Sequence, residues 1–313
     1  MQINKDICFI ISQYIYKPQY ELDDRIDINK LCWITLSANP NAINLLKENP
    51  DKIEWHVLSA NPNAIELLKE NYDKINWCML SSNPNPNAIE LLKENLDKIN
   101  WSCLSANPNA IDLLKEHPNK INWELLSANP NAIELLKKNM NKIDWHMLSA
   151  NQNAIELLEQ NLDLVDWYRI SLHSNNIQFM RNNIDKLYWK ILSYNPYAIE
   201  LLNENYLEGY DKINWSNLSE NPAAIHILLQ NPDKIDWKAL SCNASAIKII
   251  KENINKIDWL YLQCNSSSDI IELILDDINN PKIDWIALSA NKSIFKLINR
   301  EKQIQRIIEL ILI

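Results

Sequence analysis

Three kinds of residue in this chain carry side chains that could do chemistry, and their spacing says what chemistry that would be. Carboxylates recur three residues apart, as Asp51 with Glu54, Asp163 with Asp166 and Asp233 with Asp236. That separation would put a general acid and a general base on one helical face. The pair returns several times, however, whereas an active site is singular, so the pattern points to helix capping. The five histidines, His56, His117, His146, His173 and His226, include no His-Glu-x-x-His and no two within four residues. A zinc site would need its ligands gathered by the fold alone. Six cysteines, Cys8, Cys32, Cys78, Cys103, Cys242 and Cys264, include no C-x-x-C pair and read as free, mostly buried thiols. Cys242 and Cys264 share a position in successive repeats, but stacked helices lie roughly 8–10 Å apart, beyond disulfide reach without distortion. Gly209 is the single glycine, which removes glycine-rich phosphate loops, and no G-x-S-x-G nucleophile elbow occurs. No enzyme activity, metal or cofactor is expected.

The most regular reactive group is lysine. It stands three residues before tryptophan at Lys30, Lys52, Lys74, Lys98, Lys120, Lys142, Lys186, Lys212, Lys234, Lys256 and Lys282. A fixed register becomes a stripe once the chain is coiled, and a basic stripe could follow an acidic partner or a nucleic-acid backbone. The favoured expectation is plainer: each lysine neutralises the carbonyls ending the preceding helix and the acidic residue beside it.

These spacings follow from a larger one. All 12 tryptophans keep one register, at Trp33, Trp55, Trp77, Trp101, Trp123, Trp145, Trp167, Trp189, Trp215, Trp237, Trp259 and Trp285. Successive tryptophans are 22 residues apart except for three longer steps. A period of this size is the signature of a solenoid. Each module reads as two helices. The first follows Lys-Ile-Asp/Asn-Trp, with the Asp or Asn as N-cap and the tryptophan in the first turn. Asp or Asn fills that position in nine of the twelve modules, Cys32, Glu54 and Tyr188 being the exceptions. The second helix opens on Asn-Pro, as at Asn129-Pro130, and carries an apolar face such as Ala132, Ile133, Leu135 and Leu136 over about nine residues. Helices this short are not stable alone, so the modules must stack. The tryptophans are expected to pack in the core.

The reading is therefore all-α: an α-solenoid, or superhelix, of about twelve two-helix repeats. Residues 1–28 are expected to form an N-terminal capping helix segment, 29–300 the tandem repeats, and 301–313 the end of a C-terminal capping helix. Extra residues at Asn85-Pro86, around Tyr206 to Tyr210, and between Asn265 and Pro281 lengthen three turns. The module from Leu164 to Asn183 is the most degenerate, with Leu164, His173 and Ser174 in place of the usual Lys, Asn and Pro.

The repeated Leu-Ser-x-Asn-Pro-Asn-Ala-Ile-x-Leu-Leu resembles tandem-repeat proteins carried in many copies by giant DNA viruses. It is also similar to the leucine-rich variant repeat, which implies a right-handed superhelix of alternating short and longer helices. Neither resemblance supplies a catalytic residue, and the variant-repeat family lacks this tryptophan. The segment Asp6 to Ile15 looks like the first helix of a degenerate F-box, which would imply a ubiquitin-ligase substrate adaptor.

The net charge of −9 disfavours nonspecific binding to nucleic acid or to an anionic membrane. No long apolar run or signal peptide is visible, so the expected place of work is a host cytoplasm, with association to a virion as a further option. Against the constant frame, the residue just after tryptophan changes character from module to module. His56, Glu124, His146, Tyr168, Lys190 and Lys238 are its polar and aromatic members, and this register is expected to contact a partner. The functional expectation is a non-catalytic protein-binding scaffold. The alternative in another class is a modular single-stranded RNA binder that uses the lysine stripe.

Overall fold

The computed structural model describes residues 18–205, 213–299 and 301–303. The helix expected within 6–15, the lengthened turn at 206–210 with Gly209, the lysine at 212, and the chain beyond 303 fall outside them.

Most modules are a three-residue 3-10 turn, a short helix beginning at tryptophan, and a second helix. In the second module these are Pro50–Lys52, Trp55–Leu58 and Ile65–Glu70. The tryptophan helices begin where the capping pattern places them. The side chains of Asn76, Asn100, Asn122, Asp144, Asp166, Asn214, Asp236, Asp258 and Asp284 each accept a backbone N–H of the first turn. Cys32, Glu54 and Tyr188 make no such bond. The second helices are shorter than the sequence suggests. Proline after Asn opens a single 3-10 turn, as at Pro108–Ala110, and the α-helix proper begins only at the following isoleucine, Ile111–Glu116.

The core is a column of leucines. Leu58, Leu80, Leu104 and Leu126 of the tryptophan helices and Leu68, Leu92, Leu114 and Leu136 of the second helices are fully buried. Burying such a side chain stabilises by roughly 1.5–3 kcal/mol before entropy is subtracted. All twelve tryptophans are half-buried and lie against this column.

Helices of four to seven residues have nearly as many unpaired backbone groups as residues. Side chains that repeat with the module satisfy them. Ser59 donates to the Trp55 carbonyl and accepts the N–H of Asn76 in the next module. The amide of Asn61 reaches back to the carbonyls of Ser37 and Asn39, at 2.9 and 3.1 Å. That of Asn63 reaches the Pro40 carbonyl at 2.8 Å. A third asparagine, Asn71, closes the second helix by donating to Leu67. Where glutamine replaces the serine, Gln263 makes both bonds: it donates to Trp259 and accepts from Asp284. No buried side-chain N or O atom among the described residues lacks a hydrogen-bond partner.

The ends of the array meet. Cys32 N–H donates to the Ser289 hydroxyl, Asn39 to the carbonyls of Ser289 and Asn291, and Asn41 to that of Lys292. These repeat the bonds that Glu54, Asn61 and Asn63 make at the junction of the first and second modules, now between the first module and the twelfth. Their tryptophan helices, Trp33–Ala38 and Trp285–Ala290, pack as neighbours do elsewhere. A clasp covers the seam. Strand β1 (Tyr20–Leu22) pairs antiparallel with strand β2 (Phe295–Leu297). The solenoid is thus a closed ring, each module turning it by roughly 30° if the twelve share one circle equally.

This revises the C-terminal end of the expected superhelix. At the other end the described chain, from residue 18, runs through β1 and a 3-10 turn at Ile28–Lys30 into the first module. The twelfth module has no second helix, because after Lys292–Ile294 the chain extends as β2 instead of running helically towards Glu301. Two strand edges that would otherwise be open satisfy each other.

Candidate binding surface on the inner wall

Consecutive tryptophan helices pack directly on one another at eight of the twelve junctions, the seam included, while the second helices approach mainly through their opening turns. The tryptophan helices therefore sit at the smaller radius and form the inner wall. Twelve helices spaced roughly 8–10 Å apart on a circle leave an opening on the order of 20 Å across.

The register after tryptophan is exposed on this wall in every module. His56, Glu124, His146, Tyr168, Lys190 and Lys238 are all exposed, and the closed ring aims them at one shared opening. The residue that follows is mostly half-buried and turns towards the preceding module. Post-tryptophan side chains consequently meet the next module's half-buried position along a diagonal. His146 contacts Asp166 through Nδ1 and receives the Arg169 guanidinium on Nε2 at 2.8–3.0 Å. The Lys238 ammonium lies 4.6 Å from the centre of the Tyr261 ring, and a side-chain hydrogen bond with Tyr261 raises its pKa. The thiols of Cys78 and Cys103 touch at 3.8 Å.

The wall has distinct arcs. Where modules seven and eight meet, Tyr168 and Tyr188 pack edge to face at 5.8 Å with roughly half of each ring exposed, next to Arg169 and Lys190. Across the seam, Leu260, Ile286 and Ile34 present three exposed apolar side chains on neighbouring modules. Linear sequence puts Ile34 and Ile286 at opposite ends, so only closure makes this patch.

The lysine stripe has a different role from the one expected. Lys52, Lys74, Lys98, Lys142, Lys186 and Lys256 each place the ammonium 4.6–4.9 Å above the tryptophan ring of the preceding module. Lys30 lies over Trp285 at 5.0 Å, repeating the contact across the seam. A cation over an aromatic face is attracted by the ring quadrupole, and tryptophan is the best of these partners. Lys120 stands where the Trp101 ring is met by His117 instead, at 5.0 Å. Lys234 lies 3.6 Å from Asp233. In most modules a carbonyl near the end of the second helix is met by the third asparagine, as Leu67 is by Asn71, and Lys234 keeps the expected contact with its acidic neighbour.

Two of the three carboxylate pairs divide as capping requires, Glu54 of the third making no cap. Asp166 and Asp236 accept first-turn N–H groups, while Asp163 and Asp233 stay in the preceding exposed turn. For Asp236 burial raises the pKa, but bonds from Ser216, Ala239 and Lys238 outweigh it and hold the group below its ordinary value. Among the described residues no three His, Cys, Asp or Glu side chains converge to hold a metal ion. Nor is any described helix long and apolar enough to cross a membrane.

Sequence reasoning missed the asparagine ladder and the lysine–tryptophan contact. Both left a spacing in the sequence: an asparagine six residues after eleven of the twelve tryptophans, and a lysine 19 residues after seven of them. Comparison with protein-family models, curated proteins and solved structures finds no match for this chain.

Proposed function

We propose that the chain is a non-catalytic scaffold that binds a protein partner on the inner wall of the ring. The observation that carries this reading is the division of labour within each module. Ser, Asn, Leu, Trp and Lys repeat because they build junctions, whereas the one fully exposed position on the wall differs from module to module. The partner it fits is an extended segment or helix narrower than the opening, with acidic groups for Arg169 and Lys190 and apolar groups for the seam patch of Leu260, Ile286 and Ile34. Aromatic and arginine side chains of the Tyr168–Tyr188 arc are the types that anchor interfaces. Engagement of most stripe lysines by tryptophan supports a structural role for them over tracking a nucleic-acid backbone. The resemblance to giant-virus repeat proteins supports a host protein as partner.

Affinity capture from host lysate, with and without nuclease, should retain the same proteins. Replacing Glu124, His146, Tyr168 and Lys190 together by alanine should abolish that capture, while alanine at the outer-helix positions Glu66, Glu134 and Glu200 should leave it intact. Unchanged capture by the wall variant, or a catch lost with nuclease, would overturn the proposal.

A further inference from the structure

We propose that Cys78 and Cys103 form a redox-modifiable dithiol on the inner wall, converted by a peroxide into a disulfide that staples the third module to the fourth. The two occupy the diagonal described above, Cys78 directly after Trp77 and Cys103 two residues after Trp101. Of the twelve diagonal pairs this is the one in which both members are thiols. The helices that carry them, Trp77–Ser81 and Trp101–Ala106, pack directly on one another. Their sulfurs are in contact at 3.8 Å, and the Asn100 amide donates to Cys78 Sγ at 3.1 Å while its carbonyl caps the Cys103 N–H. One asparagine therefore orients both partners. A disulfide of roughly 2.0 Å requires the sulfurs to close by about half their separation, and this diagonal pair, unlike two cysteines of one register at the axial spacing of stacked helices, starts with its sulfurs in contact.

The exposed Cys78 is the sulfur that meets the oxidant. Its thiolate attacks one peroxide oxygen: an S–O bond forms, the O–O bond breaks, and the departing hydroxide leaves as water with the thiol proton. Cys103 then attacks the sulfenic sulfur, forming the S–S bond and expelling the oxygen as a second water. Two thiols and one hydrogen peroxide become one disulfide and two waters.

The other facing cysteines supply an internal contrast. Cys242 donates its thiol to the Tyr261 carbonyl at 3.2 Å, and burial, followed by the neighbouring Cys264, pushes its pKa up to about 12. Burial and the neighbouring Cys78 raise the Cys103 pKa too, so what sets the Cys78–Cys103 pair apart is the direct contact of its sulfurs, whereas the Cys242 thiol is held by a carbonyl.

The test treats the reduced full-length chain with one equivalent of hydrogen peroxide, alkylates what remains, and maps tryptic peptides without reductant. The expected result is loss of two hydrogens per chain, a linked peptide pair containing Cys78 and Cys103, and Cys242 recovered alkylated. The thermal midpoint should rise by several degrees and return with dithiothreitol, and C78S and C103S should each abolish both changes. Sulfinic acid at Cys78 with Cys103 free, a disulfide between two chains, or no oxidation would each overturn the proposal.

Discussion

At the residue scale, the module is held by side chains that answer the shortness of its helices. Asn129 is representative: buried, it donates to the carbonyls of Ser105 and Asn107, each at 3.0 Å, and accepts the N–H of Asn131. Replacing it by alanine removes the partner of the buried Ser105 carbonyl and of the Asn131 N–H and leaves the Asn107 carbonyl with the Ala110 N–H alone, and the expected loss in chemical denaturation is about 2–4 kcal/mol. Asn131 is exposed and makes one comparable bond, to Pro108 at 2.9 Å. Its alanine variant should lose less than about 1 kcal/mol, because water replaces the partner. The contrast between two asparagines two residues apart separates the ladder from general polarity. Lysine over tryptophan is weaker. Lys142→Met keeps most of the aliphatic stem, so it should lose about 0.5–1 kcal/mol and alter the emission of the Trp123 ring beneath it. Sequence exposed the capping residues individually, down to the three modules without a cap. It did not show what each asparagine bonds to, because a ladder between modules depends on their spacing in space, which no single module encodes.

At the element scale, helix boundaries followed from Asp/Asn–Trp and from Asn-Pro, but the clasp did not. Tyr20–Leu22 and Phe295–Leu297 are three residues each, too short for an alternating pattern to register. Their partner lies nearly the whole chain away. The clasp is fixed by charge as well as by strand pairing. Asp23, with its side chain fully buried, accepts from Arg25 and contacts Lys296; Arg25 also reaches Glu272 at 2.7 Å, and Lys302 binds Glu21 at 2.6 Å. The Arg25 guanidinium holds Asp23 far below its ordinary carboxylate value of 3.8, with burial opposing and Lys296 reinforcing. A depressed pKa stabilises the fold fully at every pH above that ordinary value, and the stabilisation declines progressively as pH falls from there towards the lowered value. Hydrogen exchange at Glu21 and Leu22 should therefore accelerate on acidification below about pH 4 before the internal modules respond. Asp23→Asn should show the faster exchange already at neutral pH and remove the acid dependence.

At the scale of the whole molecule, closure changes what the repeat can do. An open solenoid presents a wall with two ends, whereas a ring presents a continuous one. Here closure creates an apolar patch from Leu260, Ile286 and Ile34, which no stretch of sequence contains. That array length and turn per module match could not be read from period alone, since the same 22-residue spacing is compatible with an open superhelix. Closure is also the premise of the inner-wall binding proposal, so it is the claim to test first. The measurement is a pulsed dipolar distance between spin labels at residues 38 and 290, in a chain whose own cysteines are replaced by serine. Labels at residues 82 and 106, facing one another across an internal junction, give the reference. A closed ring should give the same short, narrow distance for both pairs. A long or broad distribution at the seam beside a short one at the reference, as ends separated by up to twelve modules at roughly 8–10 Å each would give, would contradict it.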